Sequence, residues 1–389
     1  MLLVLQVALC LVLLAGAGLF ARSLYNVRAL DLGFEPERIL AVRATFGAYG
    51  YTPEGAAALA ERLRDRLAQL PGVESATLGV SEPFSTTLDM DIALPGRDSL
   101  RLGAMGLPVV NGVTADFFRT MGTRIVRGRA IEATDRAGAP RVVVVNETMA
   151  RTLWPGRDPL GECVLVEPRQ QQGRECVTVV GVAEDAVWRD LRAPRAMQMY
   201  LALPQGFLDV PLRVIYLRTR GEPASLVRPV EQAVREVAPR VLVPDVDPLA
   251  RNLEPVLRPW RLGASVFSAF GALALVLAAL GLYAVVAYDA AQRTREMGVR
   301  LAIGAQAGDV LRLVIGGGLR VAAVGVGIGL VGALVAGRWL APMLFATTPY
   351  DPRVLGGVAA LLLAVAAAAG AVPGWRATRI GAATALRSE

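Results

Sequence analysis

Three cysteines, two closely spaced aspartate pairs and an all-arginine set of cations are the residues here whose types and spacing could do chemistry. Cys163 and Cys176 flank a polar turn, Glu167 to Arg174, and are expected on neighbouring strands of a hairpin, where an oxidising compartment could bridge them. Nearness in sequence does not guarantee the Cβ geometry of a disulfide, so the free-thiol state stays open. Cys10 lies in an apolar run and reads as a small packing residue. Asp89 with Asp91, and Asp245 with Asp247, could share a strand face and hold a cation; solvated carboxylates are the commoner state of such pairs.

Two absences narrow the chemistry further. The sequence has no histidine and no lysine, and all 41 basic residues are arginine. A serine or cysteine nucleophile ordinarily passes its proton to one of those two side chains, and a Walker A loop needs lysine to reach the β and γ phosphates. Serine-hydrolase chemistry, histidine-based zinc sites and a P-loop are therefore excluded within these residues. No catalytic residue, metal ligand or cofactor is assigned, and any ATP must be hydrolysed by another subunit.

The elements that carry these residues are four charge-poor apolar stretches and one long polar segment. Roughly 20 helical residues cross the hydrocarbon core of a bilayer, at about 1.5 Å of rise each. Leu2 to Ala21, Leu262 to Tyr288 and Val354 to Val372 meet that length without a charge. The run at 311–337 carries only Arg312 and Arg320, whose long side chains can reach toward headgroups. The expected fold is membrane α-helical, with four transmembrane helices arranged one plus three around a mixed α/β external domain. Its parts are a first helix at 1–25, the external domain at 26–260, and a membrane domain at 261–389 with helices near 262–288, 311–337 and 354–372.

Arginine clusters at helix ends read as topological, so membrane lipid is an expected contact and nucleic acid is not. Arg293, Arg295 and Arg300 follow the second apolar run, and Arg376, Arg379 and Arg387 follow the fourth. The positive-inside rule puts both flanks in the cytoplasm and the domain in the periplasm of an inner-membrane protein. Ala15-Gly16-Ala17 could pass for a signal cleavage site, but the first run is longer than a signal core and has no basic front, so an anchored helix is expected. Gln6 within it is expected to face another helix. Gly325 and Gly329 form a small-xxx-small pair for close packing, whose partner, in this chain or another copy, the spacing leaves open.

Within the external domain a unit recurs. A strand at Arg38 to Phe46 precedes a helix capped by Thr52, with Pro53 at its first position and Leu59, Leu63, Leu67 and Leu70 on one face; Val73 to Val80 is the next strand. Later come a strand at Arg213 to Thr219, a helix from Pro223 with Leu226, Val230, Val234 and Val237 on one face, and a strand at Val241 to Val246. Two such units imply a split ferredoxin-like lobe. The insertion at about 100–203, with strands at Arg141 to Asn146, Cys163 to Val166 and Cys176 to Val182, is expected to form a second, β-rich lobe.

The turn after the second apolar run, Arg293-Thr-Arg-Glu-Met-Gly-Val-Arg-Leu-Ala-Ile-Gly-Ala305, resembles the pattern R-x-R-E-[IM]-G-[IV]-R-x-A-[LIV]-G-A of FtsX-like permeases, the MacB type of ABC transporter membrane subunit. Further similar stretches follow in the family's order: Asn111 to Arg129, Val143 to Gly161, Leu344 to Pro352 and Pro373 to Glu389. The resemblance implies a permease whose porter lobe carries an inserted sabre lobe and which converts the work of a cytoplasmic ABC ATPase subunit into movement of its periplasmic domain. It implies a homodimer or pairing with a second permease half, and a periplasmic adaptor. It also implies that Arg293, Arg295, Glu296, Gly298, Arg300 and Gly304 couple to the ATPase. Glu296 and the arginines offer directional ion pairs, and the two glycines permit close backbone approach.

The chain departs from the family pattern in opening at the membrane with Met1 and in having Gly381-Ala382 where Asp-Pro is usual. Its opening, with Ala21 to Leu24 (ARSL) and Asp31 to Phe34 (DLGF), is similar to the start of the second half of duplicated permeases, so a half-length relative or a fragment is expected. The alternative function is a membrane-anchored, non-transporting regulator or sensor that binds or activates a periplasmic partner.

Overall fold

The computed structural model describes residues 1–44, 49–96, 106–167, 173–192, 195–208, 213–241, 245–292 and 307–378. Along the chain, α1 (Leu2–Arg28) precedes β1 (Ile39–Ala44), α2 (Pro53–Ala68) and β2 (Val73–Gly79). The middle contributes β3 (Leu88–Asp89), β4 (Ile92–Ala93), β5 (Val109–Val113), α3 (Phe117–Met121), β6 (Ile125–Gly128), β7 (Val142–Asn146), α4 (Glu147–Leu153), β8 (Cys163–Val166), β9 (Glu175–Ala183) and β10 (Gln198–Ala202). Next come β11 (Arg213–Thr219), α5 (Val227–Val237) and β12 (Asp245–Pro248), then three long helices, α6 (Leu253–Gln292), α7 (Ala307–Leu340) and α8 (Pro352–Thr378). The chain divides into two compact units, Met1–Leu30 with Leu257–Glu389, and Asp31–Val256.

In the second unit one sheet runs β12-β1-β11-β2-β5-β10-β7-β9-β8-β4, with β3 added to β5 and β6 to β9. Its first four strands are antiparallel and, numbered within their lobe, have the order 4-1-3-2 of a split βαβ unit. Thr52 caps α2 by accepting the Gly55 N–H at 3.2 Å, and Leu59, Leu63 and Leu67 are buried beneath it. Two sequence expectations shift. Pro223–Leu226 is a 3₁₀ turn, and the α-helix begins only at Val227. The last described strand is Asp245–Pro248, with Val246 opposite Val42; of the expected strand Val241 to Val246, Val241 donates back to the Ala238 carbonyl in a turn and residues 242–244 lie outside the described residues.

The insertion extends this sheet instead of forming a separate one. The strands meet at Gly79 and Val113, flanked by Val80 N to the Gly112 carbonyl at 3.1 Å and Thr114 N to the Leu78 carbonyl at 3.2 Å, and Asn111 supplements the join: its Oδ1 accepts from Val80 N and Ser81 N, both at 2.9 Å. Parallel pairs β5/β10 and β7/β9 and the helices α3 and α4 make this lobe mixed α/β. Cores lie on both faces of the sheet. Leu40, Val42, Val143 and Val145 point into one; Ile39, Ala41, Val142 and Val144 join Phe117, Trp188 and Tyr200 in the other. Strands buried on both sides lose the polar alternation of a surface sheet, which is why these runs are continuously apolar.

The first unit is a helix bundle around α1. Val7, Cys10, Leu11 and Ala15 of α1 are buried with Ala278 and Leu282 of α6, Ala322 and Val326 of α7, and Leu355 and Leu362 of α8. Outward, Leu262, Val266, Phe270, Leu273, Leu277 and Leu280 form an exposed stripe along α6. Such a continuous apolar surface matches acyl chains, not water. Among the described residues, four helices are long and apolar enough to cross a membrane, within Leu2–Arg28, Leu249–Asp289, Gly316–Met343 and Pro352–Ala371.

Candidate functional site

Residues 293–306 join α6 to α7. Arg293, Arg295, Glu296, Gly298, Arg300 and Gly304, singled out from sequence, all lie outside the described residues. Their near flank is described: α6 stays helical through Gln292, whose Nε2 donates to the Tyr288 hydroxyl at 2.7 Å. At about 1.5 Å per residue α6 is about 60 Å long, twice the hydrocarbon thickness. It begins one residue after Asn252 and continues, with Pro259 inside it, to Gln292.

Gly325 and Gly329 of α7 both lie against α1. A Cβ on Gly325 would fall 2.7 Å from Val7 Cβ, and one on Gly329 would fall 2.9 Å from the Ala8 carbonyl oxygen. The close-packing partner is thus inside this chain. On the other side of α1, a Cβ on Gly263 would meet Phe20 at 2.5 Å, and one on Gly271 would meet Leu14 at 2.7 Å. Gln6 is half-buried beside Gly281 of α6. Helix α1 is held by backbone proximity, where small residues exchange side-chain volume for contact.

One end of the bundle is fastened by the loop between α7 and α8. The Ser23 hydroxyl accepts from Phe345 N at 3.2 Å, Asn26 Nδ2 donates to the Ala346 carbonyl at 2.9 Å, and Trp260 Nε1 donates to the Met343 carbonyl at 3.0 Å. Arg22 forms an ion pair with Asp351 at 2.6 Å. Tyr25, Trp339 and Tyr350 are exposed at this end, and Tyr288 and Trp375 at the other. Aromatic rings at both ends of an apolar band mark the two membrane interfaces.

In the extramembrane unit Arg43 joins three elements through its side chain. Its guanidinium forks onto Glu82, with Nη2 2.7 Å and Nε 2.9 Å from the two carboxylate oxygens; its Nη1 is 2.7 Å from Asp245 and its Nη2 3.0 Å from Asn252 Oδ1. Glu82 is buried, and hydrogen bonding to it, acting against burial, raises the Arg43 pKa above the ordinary arginine value. None of Arg43, Glu82 and Asn252 stands out in sequence; only their convergence does.

The remaining sequence candidates resolve simply. Cys163 and Cys176 sit on antiparallel β8 and β9, with Cα atoms 5.6 Å apart and sulfurs in bonding contact. Asp89 pairs with Arg189, Asp91 with Arg174 at 3.4 Å, and Asp247 with Arg251, so these carboxylates face arginines. Among the described residues no group of three or more His, Cys, Asp or Glu side chains could hold a metal ion.

A family model described as MacB-like periplasmic core domain matches residues 1–238, and one described as FtsX-like permease C-terminal matches residues 268–382. Macrolide export ATP-binding/permease protein MacB 2 of Aeromonas hydrophila subsp. hydrophila is 27% identical over 251 residues, covering 60% of this chain and 36% of that protein. The MacB of Shewanella sp. (strain W3-18-1) is 25% identical over 258 residues, covering 64% and 36%. The chain spans a little over a third of the length of these curated relatives. Among solved structures, the periplasmic region of MacB from Actinobacillus actinomycetemcomitans is similar at a TM-score of 0.41 and 14% identity, over 60% of this chain and 97% of that one. With its two parts matched in order, the chain belongs to the family of ABC transporter permeases that join a MacB-like periplasmic core domain to an FtsX-like permease region.

Proposed function

We propose that the chain is the permease part of an ABC-type export or mechanotransmission system, in which an ATPase outside these residues moves the periplasmic domain through the membrane helices. The observation that carries this reading is α6, a single helix leading from Asn252 in the domain to the flank of the coupling segment. A continuous helix passes displacement along its length, and Pro259, inside its first turns, is the point where one backbone hydrogen bond is missing. Glu296, with Arg293, Arg295 and Arg300, takes the ATPase contact through ion pairs, and Gly298 and Gly304 let the backbones approach. The bundle sits in the inner membrane with residues 293–306 in the cytoplasm and the domain in the periplasm. The active assembly contains a homodimer or a second permease half, and a periplasmic adaptor meets the domain. The two relatives are named for macrolide export, which makes macrolides the first substrates to test.

The test is co-purification from detergent with the ABC ATPase of the same host. Native chain is expected to retain the ATPase, and Glu296→Lys to release it and abolish substrate-stimulated ATP hydrolysis. Retention and full stimulation with Glu296→Lys would refute the coupling assignment. Orientation is checked separately: Arg295→Cys is expected to resist an impermeant thiol reagent applied from outside.

A further inference from the structure

The chain passes into the extramembrane unit at Asp31–Glu35 and leaves it past Asn252, and a short relay of hydrogen bonds connects these two places. The Leu32 carbonyl accepts from Val187 N at 2.9 Å. The carbonyl of the next residue, Trp188, accepts from Phe84 N at 2.8 Å. Pro83, adjoining Phe84, offers its carbonyl to Asn252 Nδ2 at 3.0 Å. Every step is a bond between neighbouring segments, and the loop Glu82–Phe84 is the piece common to both sides.

Each end of the relay is fixed independently. On the inbound side, the Gly33 carbonyl accepts from the Thr123 hydroxyl at 2.7 Å, and Glu35 N donates to the Met121 carbonyl at 2.9 Å. Gly33 has φ +73°, and a Cβ there would fall 2.4 Å from the Asp185 carbonyl oxygen, so only glycine lets these two backbones touch. On the outbound side, Asn252 Nδ2 also donates to Glu82 at 2.8 Å, and its Oδ1 accepts from Arg43 at 3.0 Å. The loop itself is held against its preference. Phe84 has φ +57°, a region that side chains with a Cβ avoid, within a turn closed by Ser85 N to the Glu82 carbonyl at 3.3 Å and Glu82 N to the Thr86 carbonyl at 2.6 Å. A strained residue persists where its surroundings over-determine it, and such sites gather where a constraint is used.

We propose that Glu82–Phe84 is a stitch that, beside the direct packing of Pro36–Arg38 on Leu249–Asn252, binds the inbound segment to the outbound one, so that the two membrane connections displace the domain as one body. The use of the stitch rests on the transmission reading above; its existence does not.

The test is amide hydrogen exchange on the full chain in detergent or nanodiscs, with no ATPase present. Asn252→Ala is expected to accelerate exchange about tenfold at Phe84 and also at Val187, which Asn252 does not touch, while β2 and β11 stay protected. Acceleration confined to residues that contact Asn252 would overturn the stitch. If Asn252→Ala opens the whole sheet, Glu82→Gln, which keeps the side-chain shape, decides: about threefold acceleration at Phe84 and Val187 supports the stitch, and none overturns it. A failure here leaves ATPase co-purification untouched, and loss of co-purification leaves the exchange result untouched, so the two readings fail separately.

Discussion

Arg22, near the end of α1, holds Asp351, the residue preceding α8, with Nη1 2.6 Å from Oδ2. Asp351 is buried and also caps α8: its Oδ1 accepts from Arg353 N at 2.9 Å and its carbonyl accepts from Leu355 N at 3.0 Å. Asp351→Ala unpairs Arg22 and uncaps the helix together. The expected loss is about 1–3 kcal/mol. Thermal unfolding in detergent checks it, with Arg22→Ala expected to cost less because Arg22 is the more exposed partner.

The two faces of α7 make a matched experiment. A side chain at Gly329 would run into the α1 backbone, whereas a Cβ on Gly327 would meet nothing within 4 Å. Gly329→Leu is expected to destabilise the bundle by about 1–3 kcal/mol or more through overpacking, and Gly327→Leu to be close to neutral. Equal melting temperatures for the two variants would disprove the packing of α7 on α1.

Oxidation of Cys163 and Cys176 predicts that the denatured, unreduced chain alkylates at Cys10 alone. The two cysteines are 13 residues apart, and closing a loop of that size stabilises a domain by about 3 kcal/mol in the chain-entropy model. A Cys163→Ser/Cys176→Ser double variant is expected to unfold at correspondingly lower denaturant. Three alkylated cysteines per native chain would count against the bridge.

Acid should loosen one clasp selectively. Burial raises the Asp135 pKa, but two Arg129 N–H donors at 2.8 and 3.0 Å and the Glu132 amide outweigh it, leaving the pKa below the ordinary carboxylate value. A carboxylate held lower when folded than when unfolded contributes stability that is complete above its unfolded pKa, about 3.9, and is lost as pH falls through the folded value. The stability difference between native chain and Asp135→Asn is therefore expected to be flat from about pH 7 to 5 and to shrink below about pH 4. Urea titrations across that range measure it; a difference that grows on acidification would reverse the assignment.

Much of the architecture was legible residue by residue. Thr52-Pro53 marked a helix start, and Leu59, Leu63 and Leu67 its buried face, because capping and helical periodicity are local. Strands β5 and β10 carried no such mark. Val109–Val113 includes Asn111 and Gly112, poor strand formers, and its strand state comes from the β2, β3 and β10 neighbours. The Gly325/Gly329 spacing announced close packing without naming its partner, since a helix face is local and the helix opposite it is not.

By itself the sequence determined that four helices are apolar enough for a membrane, that no lysine or histidine is present for a P-loop or a catalytic base, and that the motifs run in the order of the permease family. Those properties follow from composition, periodicity and residue identity, and survive any rearrangement of the elements. Tertiary structure alone decided that the insertion continues the first lobe's sheet, that α1 stands at the centre of the bundle, and that Arg43, Glu82 and Asn252 converge. Glu82 and Asn252 lie 170 residues apart, and their contact exists because folding places a loop of one lobe beside the residue that precedes α6. No local pattern encodes such a meeting, because its energy comes from burial and pairing that arise only once the chain is closed.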